Sequence, residues 1–160
     1  NIFLAAKQAK KLTGRSMYII PSKTVPQGIS ALLSLNLNED MKSNIKRAGR
    51  AIRSVKTGEV TFAARNGRFG RIVMKEGDII GLTDGKVEAV GSNPENVLKT
   101  IVKSMVGKND AVVTVYYGQD VNDSTAQSLT PVLQELVGDK YEVEVHMGGQ
   151  PLYYYIVSVE

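Results

Sequence analysis

Cysteine is absent from the 160-residue sequence, and histidine occurs once, at His146. Without thiols there are neither disulfides nor thiolate metal sites, and a lone histidine with no second His or Cys set argues against catalytic zinc. No apolar run approaches the ~18 residues a membrane-spanning helix needs. No basic start leads into an apolar stretch of signal-peptide type, so the simplest reading is a cytoplasmic protein. Phosphate-loop motifs are missing too: neither Gly-x-x-x-x-Gly-Lys-Ser/Thr nor Gly-x-Gly-x-x-Gly occurs. Gly67, Gly70 and Gly77 lie near Arg68 and Arg71, but hairpin turns account for these glycines more simply than a nucleotide site does. No cofactor is expected on this chain.

What is present is distributed unevenly. Residues 1–75 hold 15 Lys/Arg and 3 Asp/Glu, net +12, whereas residues 76–160 hold 5 and 13, net −8. The basic half could face an acidic partner, including nucleic acid, but the simpler reading is that the two halves fold against each other and partly cancel. No interleaving of aromatic and basic residues of RNA-recognition type supports nucleic acid. The sequence opens on Asn1, a good N-cap, directly followed by a helical pattern (Ile2, Leu4, Ala5, Ala9, Leu12), which suggests a fragment lacking its upstream part.

Met17 to Ile20 reads as a buried strand, residues 21–25 as a loop, and Pro26 as the first turn of a helix to Leu35. Helix, strand, loop and helix are the end of an α/β layer. Asn36-Leu37-Asn38 suggests a linker, giving subdomains 1–38 and 39–160. Met41, Ile45, Ala48, Ile52 and Val55 then share one helix face, with Lys42, Lys46, Arg50 and Arg53 on an adjacent flank as a basic ridge for partner binding. Further on, the period changes to two. Residues 59–65 and 68–74 about Asn66-Gly67, then 78–83 and 86–90 about Asp84-Gly85, predict an antiparallel meander. Asn93-Pro94-Glu95 opens a helix, Ala111 to Tyr117 is a strand, and Asp123 caps a helix to Val137 that Pro131 should kink or split. Tyr141 to Met147 and Leu152 to Val159, about Gly148-Gly149, predict a closing hairpin.

The fold class is therefore α+β: a truncated α/β portion, then an antiparallel sheet covered by helices near 40–55, 94–106 and 123–137. Because Met17 to Ile20 would lack flanking strands, self-association through that edge is expected. Lys23, Thr24, Gln27 and Gly28 stand where a helix N-terminus would meet an anion in a cleft, and would equally serve an ordinary strand-to-helix connection. Glu144 and His146 share a strand face but lack the further His or Cys a metal site needs, and a catalytic dyad would need a pocket and divergent pKa values that the sequence does not show. In Tyr153-Tyr154-Tyr155 the central ring faces opposite to its neighbours, leaving one set for a core and the other for contact.

Leu4 to Ala9, Pro21-Ser22-Lys23-Thr24-Val25-Pro26-Gln27-Gly28-Ile29, Thr57 to Thr61, Gly77-Asp78, Tyr116-Tyr117-Gly118-Gln119-Asp120 and Gly148-Gly149-Gln150-Pro151-Leu152-Tyr153-Tyr154-Tyr155 occur along the whole chain. In that order they resemble the C-terminal domain of the bacterial fatty acid kinase A family, which is dihydroxyacetone-kinase-like. The resemblance implies a DegV-like fold and a non-catalytic role in lipid metabolism and phospholipid synthesis. It implies docking of a separate fatty-acid-binding partner of the DegV type, with ATP and magnesium on an N-terminal domain of the same parent. Ser22 replaces an expected Thr, and the family's upstream Gly-Gly-Gln-Thr loop lies outside this sequence, so any cleft shared with Lys23 to Gly28 would be incomplete. The rival expectations are a fatty-acid- or small-molecule-binding module and a nucleic-acid-binding module.

Overall fold

A computed structural model describes residues 2–160 and divides the chain into two compact units, residues 1–55 and 56–160. The cap expected at Asn1 lies outside the described residues. Among the described residues no helix is long and apolar enough to cross a membrane.

The first unit is helical. Helix α1 (Ile2–Leu12) has no buried residue, and Gly14, at φ 60°, lies just beyond its end. Helix α2 (Val25–Leu33) starts at the N-cap Thr24 with Pro26 in its first turn, as the sequence predicts. Helix α3 (Met41–Ser54) starts at Asp40, whose Oδ1 accepts the Ser43 N–H at 2.7 Å. A small core of Ala31, Ala48 and Ile52, with Ile20 against it, joins α2 to α3.

Two expectations fail here. Met17 to Ile20 is not a strand, so the α/β portion and the strand-edge rationale for self-association both lapse. Ile20 packs on α2 and α3 instead, while Tyr18 is half-exposed. Nor does the chain divide at residues 38/39. Asn44 of α3 accepts the Asn36 N–H at 2.7 Å and donates to the Asn36 carbonyl at 2.8 Å, while Arg47 Nε donates to the Ser34 carbonyl. The supposed linker is thereby a turn fastened to α3, and the helix expected near 40–55 belongs to the first unit, not to the unit of the sheet.

The second unit contains β1 (Lys56–Phe62), β2 (Gly67–Phe69), β3 (Ile72–Met74), β4 (Ile79–Thr83), β5 (Lys86–Gly91), α4 (Pro94–Met105), β6 (Val112–Tyr117), α5 (Asp123–Val137), β7 (Glu142–Met147) and β8 (Tyr153–Val159). Six strands form one sheet in the order β5-β4-β1-β8-β6-β7, antiparallel except for the parallel pair β6/β7. The α+β class with a mostly antiparallel sheet is therefore as expected. Helix α4 starts at Asn93, and its face of Val97, Leu98, Ile101, Val102 and Met105 meets Val60, Val113, Val115, Tyr155, Val157 and Val159 of the sheet. Ala126, Leu129 and Leu133 of α5 extend the same core. Helix α4 can approach this closely because Gly58 and Gly81 have no side chain; a Cβ at either would collide with Ile101 and its neighbours. Helix α5 starts from Asn122, one residue before the expected cap, and runs on through Pro131 without being split.

The hairpins differ more. Asp84-Gly85 turns as predicted, with φ of 48° and 79°. The pair β2/β3 turns at Gly70-Arg71 rather than Asn66-Gly67, and β1 pairs with β4 instead, so residues 64–77 form an arm inserted between paired strands. The closing hairpin does not form. Strand β8 inserts between β1 and β6, leaving β7 on the far side of β6. The Gly-Gly loop instead passes over the end of β6, where Gly148 and Gly149 N–H both donate to the Tyr117 carbonyl.

Candidate functional site

The first unit carries most of the exposed apolar surface. Beside α1 lies a groove of about 1090 Å³, with Phe3, Leu4, Tyr18, Ile19 and Pro21 on its apolar walls and Lys7, Lys10 and Lys11 among its polar lining. Leu4 is 64 % exposed and Phe3 44 %, which is large for apolar residues on one helix face. Two of the lysines sit over aromatic rings: Lys7 Nζ is 4.6 Å from the centroid of Phe3, and Lys10 Nζ is 5.8 Å from that of Tyr18. The groove thus offers an apolar floor with cations at its rim.

A second cleft, of about 500 Å³, adjoins Tyr18 and Pro21 from the α3 side. Lys46, Arg50 and Arg53 line it together with Ile45 and Ile52, and Lys42 lies one turn further towards the start of α3. All four basic residues of the ridge are exposed. The sequence located the ridge and the apolar face of α1, but not that Tyr18, Ile19 and Pro21 would lie beside that face to make a groove. Among the described residues of α1 none is buried, so that face stays open.

Lys23, Thr24, Gln27 and Gly28 come together at the start of α2, where they satisfy one another. The Thr24 hydroxyl accepts the Gln27 N–H at 3.4 Å, Gln27 Oε1 accepts the Lys23 N–H at 2.8 Å, and the Gly28 N–H donates to the Thr24 carbonyl. This is capping chemistry, with Gln27 reaching back over the first turn.

The sheet face away from α4 and α5 has a row of paired residues crossing all six strands: Val87, Leu82, Glu59, Ile156, Tyr116 and His146. Glu59 lies between two aliphatic neighbours, and desolvation there raises its pKa above the ordinary carboxylate value. At the far end His146 Nε2 is 3.1 Å from Glu144 Oε2, and its ring centroid is 6.1 Å from that of Tyr116. Burial first, and then the nearby Glu144 and Glu160, push the Tyr116 phenol up. Among the described residues no group of three His, Cys, Asp or Glu is arranged to hold a metal. Of the tyrosine triplet, Tyr155 is fully buried and donates to Glu95 at 3.0 Å. Desolvation, and after it the charge and hydrogen bond of Glu95, raise the Tyr155 pKa strongly.

The family model for the C-terminal part of proteins like fatty acid kinase A matches residues 1–160. The chain belongs to that family. Protein YloV of Bacillus subtilis (strain 168) is 39% identical over 160 residues, all of this chain and 29% of the relative. An uncharacterized protein of Staphylococcus haemolyticus (strain JCSC1435) is 32% identical over the same span, again 29% of its length. This domain of the fatty acid kinase A-like family thus spans under a third of the curated relatives it matches. Its fold resembles two solved structures. A fatty acid binding DegV family protein from Streptococcus agalactiae gives a TM-score of 0.52 at 16% identity, covering 99% of this chain and 64% of that one. A DegV family protein from Thermus thermophilus, described by its fatty acid binding, gives 0.53 at 13%, covering 94% and 62%. The DegV-like fold is as the family resemblance implied.

Proposed function

We propose that this domain is the docking element of a fatty-acid-kinase-type protein. It receives a separate fatty-acid-binding protein of the DegV type, so that the acyl carboxylate can be phosphorylated by an ATP- and magnesium-binding domain elsewhere in the parent. The observation that carries this reading is the groove along α1, with Phe3 and Leu4 exposed and Lys7, Lys10 and Lys11 at its rim. Exposed apolar surface edged by charge suits a protein interface, in which aromatic and aliphatic anchors supply affinity and rim charges set the rate of encounter. A small-ligand site would instead enclose roughly 70–90% of its occupant. The basic ridge of Lys42, Lys46, Arg50 and Arg53 extends the cationic surface beside the groove and supports the same role.

Calorimetric titration of the chain with the DegV-type protein of the same cell tests the proposal. A Phe3→Ser, Leu4→Ser double variant should weaken association at least tenfold, because buried anchors carry most of the binding energy. Unchanged affinity would remove the groove from the interface.

A second reading, acyl-chain binding by the domain itself, is favoured by the two DegV-like neighbours whose names state fatty acid binding. Mass spectrometry of organic extracts separates the two readings. A fatty acid recovered in stoichiometric amount from the purified domain supports the second.

A further inference from the structure

The arm at residues 64–77 is used by neither reading. It leaves the sheet where the Ala63 N–H donates to the Asp78 carbonyl at 2.8 Å and the Gly77 N–H to the Ala63 carbonyl at 2.9 Å. Its base is fixed by the Glu76 N–H on Asn66 Oδ1 at 2.8 Å and the Lys75 N–H on Asp78 Oδ2 at 2.7 Å. Met74 holds it down, buried against Ala63 and Ile80. Beyond these fastenings the strands β2 and β3 run out to a Gly70-Arg71 turn. At the tip Phe69 is 51 % exposed, and Val73 on the outer face is 63 % exposed.

Charge sets the arm apart from the body that carries it. Residues 64–77 hold four basic residues, Arg65, Arg68, Arg71 and Lys75, and one acidic residue, Glu76. The rest of residues 56–160 holds 6 Lys/Arg and 13 Asp/Glu. Among the described residues none of the three arginines is in an ion pair. A half-exposed ring at the tip, on the face of the arm that Met74 shares and flanked in sequence by Arg68 and Arg71, suits a partner that is anionic outside and apolar within.

We propose that this arm seats on an anionic lipid surface, with Phe69 entering the headgroup boundary and Arg68 and Arg71 meeting lipid phosphates. Three considerations select a membrane over other anionic partners. Two strands of three residues each present a narrow tip to a partner, whereas a stable protein complex buries ~800 Å² on each side and an interface of fluid lipids needs no complementary shape. Aromatic rings gain by sitting at the headgroup level, and basic residues there are drawn by the surface potential. The acidic remainder of the unit is repelled by the same surface, so within residues 56–160 contact is confined to the arm. Binding of this kind is weak, reversible and salt-sensitive.

The sequence contains no tryptophan, so Phe69→Trp puts a single indole at the tip. In the full 160-residue chain, this variant should show a blue-shifted, brighter emission with vesicles of phosphatidylcholine containing about one third phosphatidylglycerol. Pure phosphatidylcholine vesicles should give no shift, and high salt should reverse it. Adding Arg68→Gln and Arg71→Gln, at exposed positions that leave the fold unchanged by circular dichroism, should weaken partitioning on the order of twentyfold. Lys46→Gln with Arg50→Gln, in the other unit, should leave the indole shift in place. The proposal is overturned if the indole does not shift with phosphatidylglycerol, or if the arm variants partition as well as the parent. It is overturned equally if a single-stranded oligonucleotide shifts the indole and vesicles do not, which would assign the arm to nucleic acid.

Discussion

Glu59 sits in the third of six sheet positions with Leu82 on one side and Ile156 on the other, and its pKa is raised by desolvation. A carboxyl whose folded pKa exceeds its unfolded value keeps its proton longer in the folded state, so stability falls as pH rises through that window. Glu59→Gln should therefore raise the melting temperature at neutral pH, and the gain should vanish below about pH 4, where both states carry the proton. Thermal unfolding across pH checks the sign; a loss at neutral pH would mean that the ionised carboxylate has a stabilising partner. Gly118 poses a different problem, since a Cβ there would run into the Tyr153 carbonyl oxygen, a backbone atom that cannot step aside. Gly118→Ala should cost several kcal/mol, about 2–4, because the Gly118 N–H is also bonded to the Tyr154 carbonyl and holds β6 to the start of β8. Denaturant unfolding measures this, and a change under ~0.5 kcal/mol would show that the crossing is slack.

At the scale of elements, what the sequence made legible was whatever a few neighbouring residues decide. Asn93-Pro94-Glu95 and the Val97, Leu98, Ile101, Val102, Met105 face state the start and the buried side of α4 within a single short segment. Asp84-Gly85 states a tight turn by its conformational demands alone. Strand partners are chosen at long range, and there the local reading failed. Gly148-Gly149 has the composition of a hairpin turn, yet β8 finds its partners in β1 and β6, whose core faces of Val60, Val113 and Val115 meet those of Tyr155, Val157 and Val159 under α4. Met17 to Ile20 has strand composition but no paired backbone; Ile20 packs on the helices, and Tyr18 and Ile19 line the groove. The candidate site divided similarly. The ridge of Lys42, Lys46, Arg50 and Arg53 follows from helical spacing, whereas the groove depends on where Tyr18, Ile19 and Pro21 come to lie beside α1. Reversing Lys46 and Arg50 to Glu should slow association with the partner roughly tenfold and flatten its salt dependence, with little change in dissociation, because exposed charges mainly steer encounter. Stopped-flow kinetics over a range of salt reads this. Rates that do not move would make the ridge a solvated face.

Over the whole molecule, two units of opposite charge divide the work. Residues 1–55 hold 10 Lys/Arg against 2 Asp/Glu and carry the apolar groove, while residues 56–160 hold 10 against 14 and carry the sheet. Under the docking role proposed above, the parent needs a surface for the fatty-acid-binding protein, and the first unit has the composition for it. Hydrogen–deuterium exchange of the chain, alone and with the fatty-acid-loaded DegV-type protein, tests this most directly. The account predicts added protection across residues 2–21 and along the exposed flank of α3, with the edge strands β5 and β7 unchanged. Binding that left α1 unprotected and instead covered the sheet edges, or no binding at the concentrations of the titration, would contradict it.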